Sequence, residues 1–155
     1  MQRLLFWLVY PLLWIISKLP FWLFYKVSDG IFILVYYVVG YRKKTVRFNL
    51  KTAFPEKSDA ERKAIEKRFY KHMCDMFLEM IKSISISGEE LKKRFQFDDL
   101  TIVEKLVKEQ RSSLIMMGHY ASYEWLTALQ FYFEHNGYGI YKRIKNPYFD
   151  KLIHK

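Results

Sequence analysis

The stretch Leu4–Tyr25, LLFWLVYPLLWIISKLPFWLFY, is 22 residues long and carries one charge, at Lys18. About 20 apolar residues suffice to cross a bilayer, so this end has to be matched to lipid before anything else is placed. Two readings are open. A single helix could span the membrane, or Pro11, Lys18 and Pro20 divide the stretch into two short helices lying partly in the interface, with Trp7, Trp14 and Trp22 at headgroup level. A cleaved signal peptide is disfavoured, because the apolar region is too long and no small-residue cleavage site follows it. A second apolar piece, Ile31–Val39, is too short to span alone. Arg42, Lys43, Lys44 and Arg47 follow it directly, and the positive-inside rule places what comes next in the cytoplasm.

That basic cluster also explains the net charge. The chain is +10 at pH 7, yet residues 48–141 hold 14 basic and 14 acidic side chains. The surplus sits in the cluster after the apolar end, in the tail 142–155 and in residues 1–40. Basic residues beside an apolar segment are attracted to an anionic bilayer surface, at roughly 1 kcal/mol each. Nucleic acid is therefore not an expected partner. A length of 155 residues is about one domain's worth, and the single cysteine, Cys74, excludes an internal disulfide and a cysteine-based zinc cluster.

Beyond Pro55, Ser58-x-x-Glu61 has the form of a capping box. Apolar residues then recur at spacings of three and four: Ile65, Phe69, Met73, Met76/Phe77, Met80/Ile81 and Ile84. This predicts an amphipathic helix of about 25 residues whose Met and Phe stripe faces core or membrane rather than a cofactor. Gly88 reads as a break, and Leu100–Gln110 carries a short helical pattern. Ser113–Met117 is a short apolar run bounded by polar residues and Gly118, as in a buried strand. A helical pattern from about Ala121 to His135 ends at Asn136-Gly137, and Tyr138–Tyr141 is a second strand candidate. Strand, helix, strand predicts an α/β unit with parallel neighbours, whose ligand site lies at the carboxyl ends of the strands. His119 falls there.

His119 and Glu124 stand five positions apart in MMGHYASYEW. A histidine on the turn after a strand, with a carboxylate in the first turn of the next helix, can act as a base whose tautomer the carboxylate fixes. Ser122 is an awkward nucleophile for it, and no G-x-S-x-G elbow presents that serine. The nucleophile is then a substrate hydroxyl. The spacing is not the i, i+4 of a helical zinc pair, so no metal is expected. On spacing alone, a turn histidine and a solvated carboxylate favoured by the helix dipole remain an open reading.

Three segments resemble the N-terminal half of the bacterial lipid A biosynthesis acyltransferases, the lauroyl and myristoyl transferase type related to the glycerolipid acyltransferases. They are the anchor with YRKKTVRFNLKTAFPEKS, the MMGHYASYEW block with its H-x4-D/E form, and GIYKRIKNPYFDKLIHK. The resemblance implies a membrane anchor with basic flank over residues 1–45 and the N-terminal part of a glycerolipid-acyltransferase-like α/β domain over 46–155, at the cytoplasmic side of the inner membrane. It implies an O-acyltransferase in which His119 deprotonates a hydroxyl of a lipid A precursor or related glycolipid and Glu124 orients the imidazole. The donor is an acyl carrier protein or coenzyme A thioester, and no cofactor is implied. The family commonly has Tyr-Arg where this chain has Tyr141-Lys142, which leaves the anion-binding role between Lys142 and Arg143. A pocket setting acyl length is expected to draw on aromatics such as Trp125, Phe131 and Tyr132. The family continues for roughly as many residues again, so the chain reads as a truncated piece, inactive alone. From a different class, a non-catalytic membrane-associated protein would use the 59–84 helix and the basic clusters to dock on lipid or a partner, with His119 structural.

Overall fold

The computed structural model describes residues 2–133 and 137–153, and they form two compact units, Leu19–Lys82 and a second made of Met1–Lys18 with Ser83–Lys155. In the first, α2 (Phe21–Ile33) runs on into a π-helical turn, Leu34–Val39. The wide turn closes with the Gly40 amide donating to the Val35 carbonyl at 2.9 Å. Gly40 then leaves in the left-handed conformation, φ +65°, where a glycine is at no disadvantage. Phe21–Val39 is thus one 19-residue helical stretch long and apolar enough to cross a membrane. The break falls at Leu19–Pro20, after α1 (Gln2–Lys18), so the uninterrupted Leu4–Tyr25 helix is not formed, whereas Ile31–Val39 is continuous with α2.

The sequence hides that continuity because Lys26, Ser28, Asp29 and Gly30 look like a break. Long-range partners overrule the local signal. From α4 (Asp59–Lys82), Glu79 accepts from the Tyr25 hydroxyl at 2.7 Å, Asp75 accepts from the Ser28 hydroxyl at 2.5 Å, and Lys71 pairs with Asp29 at 3.1 Å. Lys82 donates to the Leu19 carbonyl at 2.6 Å with its ammonium 4.7 Å from the Phe21 ring centre. Nearer the middle of α4, Tyr70 donates to the Tyr41 carbonyl, and Glu66, 2% exposed, holds the Arg47 guanidinium of α3 (Lys43–Ala53) at 2.9 Å. The hydrogen bond to Glu66 pushes the Arg47 pKa up, and burial followed by the Glu66 charge pushes up that of Tyr70, so both stay donors.

The buried row of α4 is therefore Glu66, Tyr70, Cys74, Leu78 and Lys82. The predicted Met and Phe stripe lies beside it, with Phe69 45% and Phe77 53% exposed. The length of the helix agrees with the periodicity, and of the two settings open to the Met and Phe stripe, core or membrane, the buried core of this unit is not the one it takes. Ion pairs and hydrogen bonds outcompete the apolar row for the face against α2, since a buried polar group without a partner is costly.

In the second unit, the Ser85 hydroxyl donates to the Ser17 carbonyl at 2.8 Å, satisfying one of the open carbonyls at the end of α1. The Phe6 ring of α1 packs on Phe149 of α7 (Pro147–Ile153) at 5.1 Å. Ser87 caps α5 (Gly88–Arg94) by accepting from the Glu90 amide at 3.2 Å, so Gly88 begins a helix. Gly88 packs tightly enough on Phe131 that an added Cβ would lie 2.9 Å from the ring. Asp99 accepts from the Thr101 amide at 2.8 Å at the start of α6 (Thr101–Lys108). Tyr123–Phe131 is a 3-10 helix rather than α, and the predicted end at Asn136 lies outside the described residues.

No strand occurs among the described residues, which corrects the expected α/β unit for this stretch. Ser113–Met117 and Tyr138–Tyr141 have the strand pattern but no ladder partner, and a strand is defined by pairing. Their side chains lie open, Met116 at 86% and Ile140 at 97% exposure.

The Ser58–Glu61 box forms as predicted: the Ser58 amide and hydroxyl donate to the Glu61 carboxylate at 2.8 and 2.7 Å, and the Glu61 amide donates back at 3.3 Å. These contacts hold the Glu61 carboxyl below the ordinary glutamate range. Ser58→Ala should lower stability by about 1 kcal/mol, read as a drop in the thermal midpoint of helical circular dichroism in detergent. The Glu61 pKa is depressed on folding, so its contribution is present above the unfolded glutamate pKa and lost as pH falls through the lowered value. The gap between wild type and Ser58→Ala should accordingly narrow on acidification.

Candidate active site

The backbone presents His119 by a tight turn, the Tyr120 amide donating to the Gly118 carbonyl at 2.9 Å across it. A three-residue turn of this kind sits at the start of loops. Ala121 follows in the left-handed conformation, φ 51°, which is strained for a residue with a Cβ. The 3-10 helix is anchored behind them. Trp125, Ala128 and Leu129 are buried, and the Trp125 indole donates to the Ser83 hydroxyl at 3.2 Å.

His119 is exposed on this turn and lies with its ring 4.3 Å from that of Tyr123, tilted by 56°. Glu124, the next residue, is half-buried. Its Oε2 is shut away from solvent with no hydrogen-bond partner. Burial and then hydrogen bonding to the Glu124 carboxylate raise the Tyr123 pKa. The order is imidazole, phenol ring, carboxylate. No hydrogen bond or ion pair joins His119 to Glu124 directly, and sequence reasoning passed over Tyr123, although aromatic residues next to a candidate base are a readable signal.

In the third block, Asp150 is the organiser, and it was also missed. It is 6% exposed, and its Oδ1 accepts from the Ile144 amide at 2.9 Å and from the Tyr141 hydroxyl at 3.3 Å. Its Oδ2 pairs with the Arg143 guanidinium at 3.4 Å. The readable hint was an acid in the first turn of a helix opened by Asn-Pro, where the dipole favours it. That helix start is as expected, with the Asn146 side chain accepting from the Tyr148 amide at 3.0 Å. Arg143 thus has a carboxylate partner, while Lys142 is exposed with no ion pair among the described residues. Neither cation bonds to His119 or Glu124. Of the aromatics expected to line an acyl pocket, Trp125 is buried, Phe131 packs on Gly88, and Tyr132 meets Phe97 at 5.5 Å. Among the described residues, no group of three or more His, Cys, Asp or Glu gathers to hold a metal.

The family profile described as bacterial lipid A biosynthesis acyltransferase matches residues 1–155. The chain is 25% identical over 146 residues to the lipid A biosynthesis lauroyltransferase of Escherichia coli (strain K12), covering 94% of this chain and 47% of that protein. It spans about half the length of this curated relative. No solved structure matches significantly.

Asp150→Ala removes the acceptor of three donors and should cost roughly 1–3 kcal/mol, with Asp150→Asn milder. Limited trypsin digestion followed by mass spectrometry should show faster cleavage after Arg143 and Lys145. Unchanged cleavage there would mean that the carboxylate does not organise the segment.

Proposed function

We infer that this chain, which belongs to the bacterial lipid A biosynthesis acyltransferases, carries the base end of a membrane-bound O-acyltransferase that moves a fatty acyl group from a thioester to a glycolipid hydroxyl. Residues 1–45 anchor the protein in the inner membrane, and 46–155 supply the N-terminal part of the catalytic domain on its cytoplasmic face. The acceptor is a lipid A precursor or related glycolipid, and the donor an acyl carrier protein or coenzyme A thioester.

One observation carries the assignment of the base: the buried Glu124 Oε2 has no partner, one short turn from an exposed imidazole. An orphaned buried acceptor is costly, and an imidazole N–H is the donor that would satisfy it. Catalytic hydrogen bonds are often loose before substrate binds. With Glu124 accepting from one ring nitrogen, the other takes the proton of the acceptor hydroxyl. The alkoxide oxygen attacks the thioester carbonyl carbon, forming the new C–O bond. The tetrahedral intermediate then expels the thiolate, which takes the proton from the imidazolium to leave as thiol. Lys142, unpaired by any described acid, holds an anionic group of the substrates, and Arg143 does so only by leaving Asp150.

General-base catalysis contributes about 10²–10⁴-fold. His119→Ala in the full-length protein should therefore reduce acceptor-dependent thiol release from an acyl thioester by at least about that much at unchanged expression. Glu124→Gln should act in the same direction with a smaller loss. Near wild-type turnover in His119→Ala would sink the assignment.

A further inference from the structure

Along α4 the apolar row that packing leaves uncovered, with Phe69, Met73 and Phe77, forms one wall of an open groove within the Leu19–Lys82 unit. Ile31, Val35 and Val39, one face of the apolar helix, form the other. The groove has a volume of ≈ 740 Å³, inside the roughly 300–1,000 Å³ range of small-ligand sites. Both walls are helical and apolar, which suits a hydrocarbon chain.

The chemistry of the groove is one-sided. No carboxylate lines it. After the turn at Gly40 the chain brings Arg42 to the rim, its backbone left-handed at φ 51°. The Arg42 side chain is exposed and has no hydrogen bond or ion pair among the described residues, whereas Arg47 in the same basic cluster is held by Glu66. Thr45, Asn49 and the tyrosines Tyr41 and Tyr70 add uncharged polar groups to the lining. An apolar slot walled by a helix fit for a bilayer, with an exposed arginine on its lining, matches an amphiphile having a hydrocarbon tail and an anionic head. Guanidinium binds phosphate through paired hydrogen bonds, and basic pockets beside membrane helices bind anionic lipid headgroups.

We propose that this groove holds one acyl chain of an anionic phospholipid of the surrounding bilayer, with the headgroup phosphate against Arg42. The site is separate in residues from the His119 block and does not rest on the acyl-transfer reading.

The test uses the full chain in vesicles of phosphatidylethanolamine with a minority of phosphatidylglycerol, plus a trace of phosphatidylglycerol bearing a diazirine in its acyl chain. After irradiation, adducts mapped by mass spectrometry should concentrate on Phe69, Met73 and Phe77 and be sparse on Leu4 and Leu8, although these two leucines are the more exposed. Arg42→Gln, at an exposed position, should lower the groove adducts about fivefold. The corresponding phosphatidylcholine probe should label the groove weakly in both proteins. Met73→Trp, which fills the slot, should remove adducts at Phe69 and Phe77 with helicity and vesicle flotation retained. Even labelling of groove and α1, equal labelling by phosphatidylcholine, or indifference to Arg42→Gln would overturn the proposal. So would an unlabelled groove, which would mean that protein covers it. If Met73→Trp does not fold, the wild-type map and Arg42→Gln decide the matter alone.

Discussion

An apolar helix that carries a tyrosine hydroxyl, a serine and an aspartate needs something to answer those groups, and the Leu19–Lys82 unit is arranged around that need. Tyr25, Ser28 and Asp29 meet Glu79, Asp75 and Lys71 in antiparallel order, one partner per turn of α4. Lys82 on Leu19 extends the same register by a further turn, and Tyr70 on Tyr41 adds a contact outside it, where the chain turns after Gly40. Ionisable groups in segments of membrane character are expensive unless paired. Here the pairing also sets the rotation of α4 about its axis. Once that polar row is turned inward, the Met and Phe row has to face outward, and the groove beside it follows.

This explains which parts of the helical fold could be read from residues alone. Signals that close on themselves within a few positions were legible: the Ser58–Glu61 box, the Asn146-Pro147 start and the span of α4. Signals settled by distant partners were not. Lys26 to Gly30 looks like an interruption until Asp75 and Lys71 are known to lie opposite. Whether the Met and Phe row of α4 meets core or membrane was left open for the same reason, because periodicity ranks residues by hydrophobicity and has no term for a carboxylate already committed to Arg47.

The candidate site divides along the same line. His119 on a turn, and a helical segment after it, were readable from Gly118 and the apolar run before it. The type of helix was not. A 3-10 turn advances about 120° per residue instead of 100°, so Tyr123 and Glu124 project differently than an α-helix would have them, and the phenol ring comes to rest beside the imidazole. Lys142 and Arg143 illustrate a second limit. The sequence marks both as cations near a strand-like segment, but only the position of Asp150 distinguishes them.

The strand-like segments and the His119–Glu124 pair share one requirement. Residues 113–117 and 138–141 expose apolar side chains and backbone groups that no ladder engages. Pairing would cover them, as strand patterns of this kind are usually covered on both faces. The same event would act on the site between them. His119 is two residues beyond the first segment and exposed, whereas Glu124 Oε2 is already shut away from solvent without a partner, so withdrawing water from the Gly118–Glu124 turn would strengthen any hydrogen bond the imidazole makes to it. Covering residues 113–117 would therefore favour a hydrogen bond between His119 and Glu124, which have none between them in this structure.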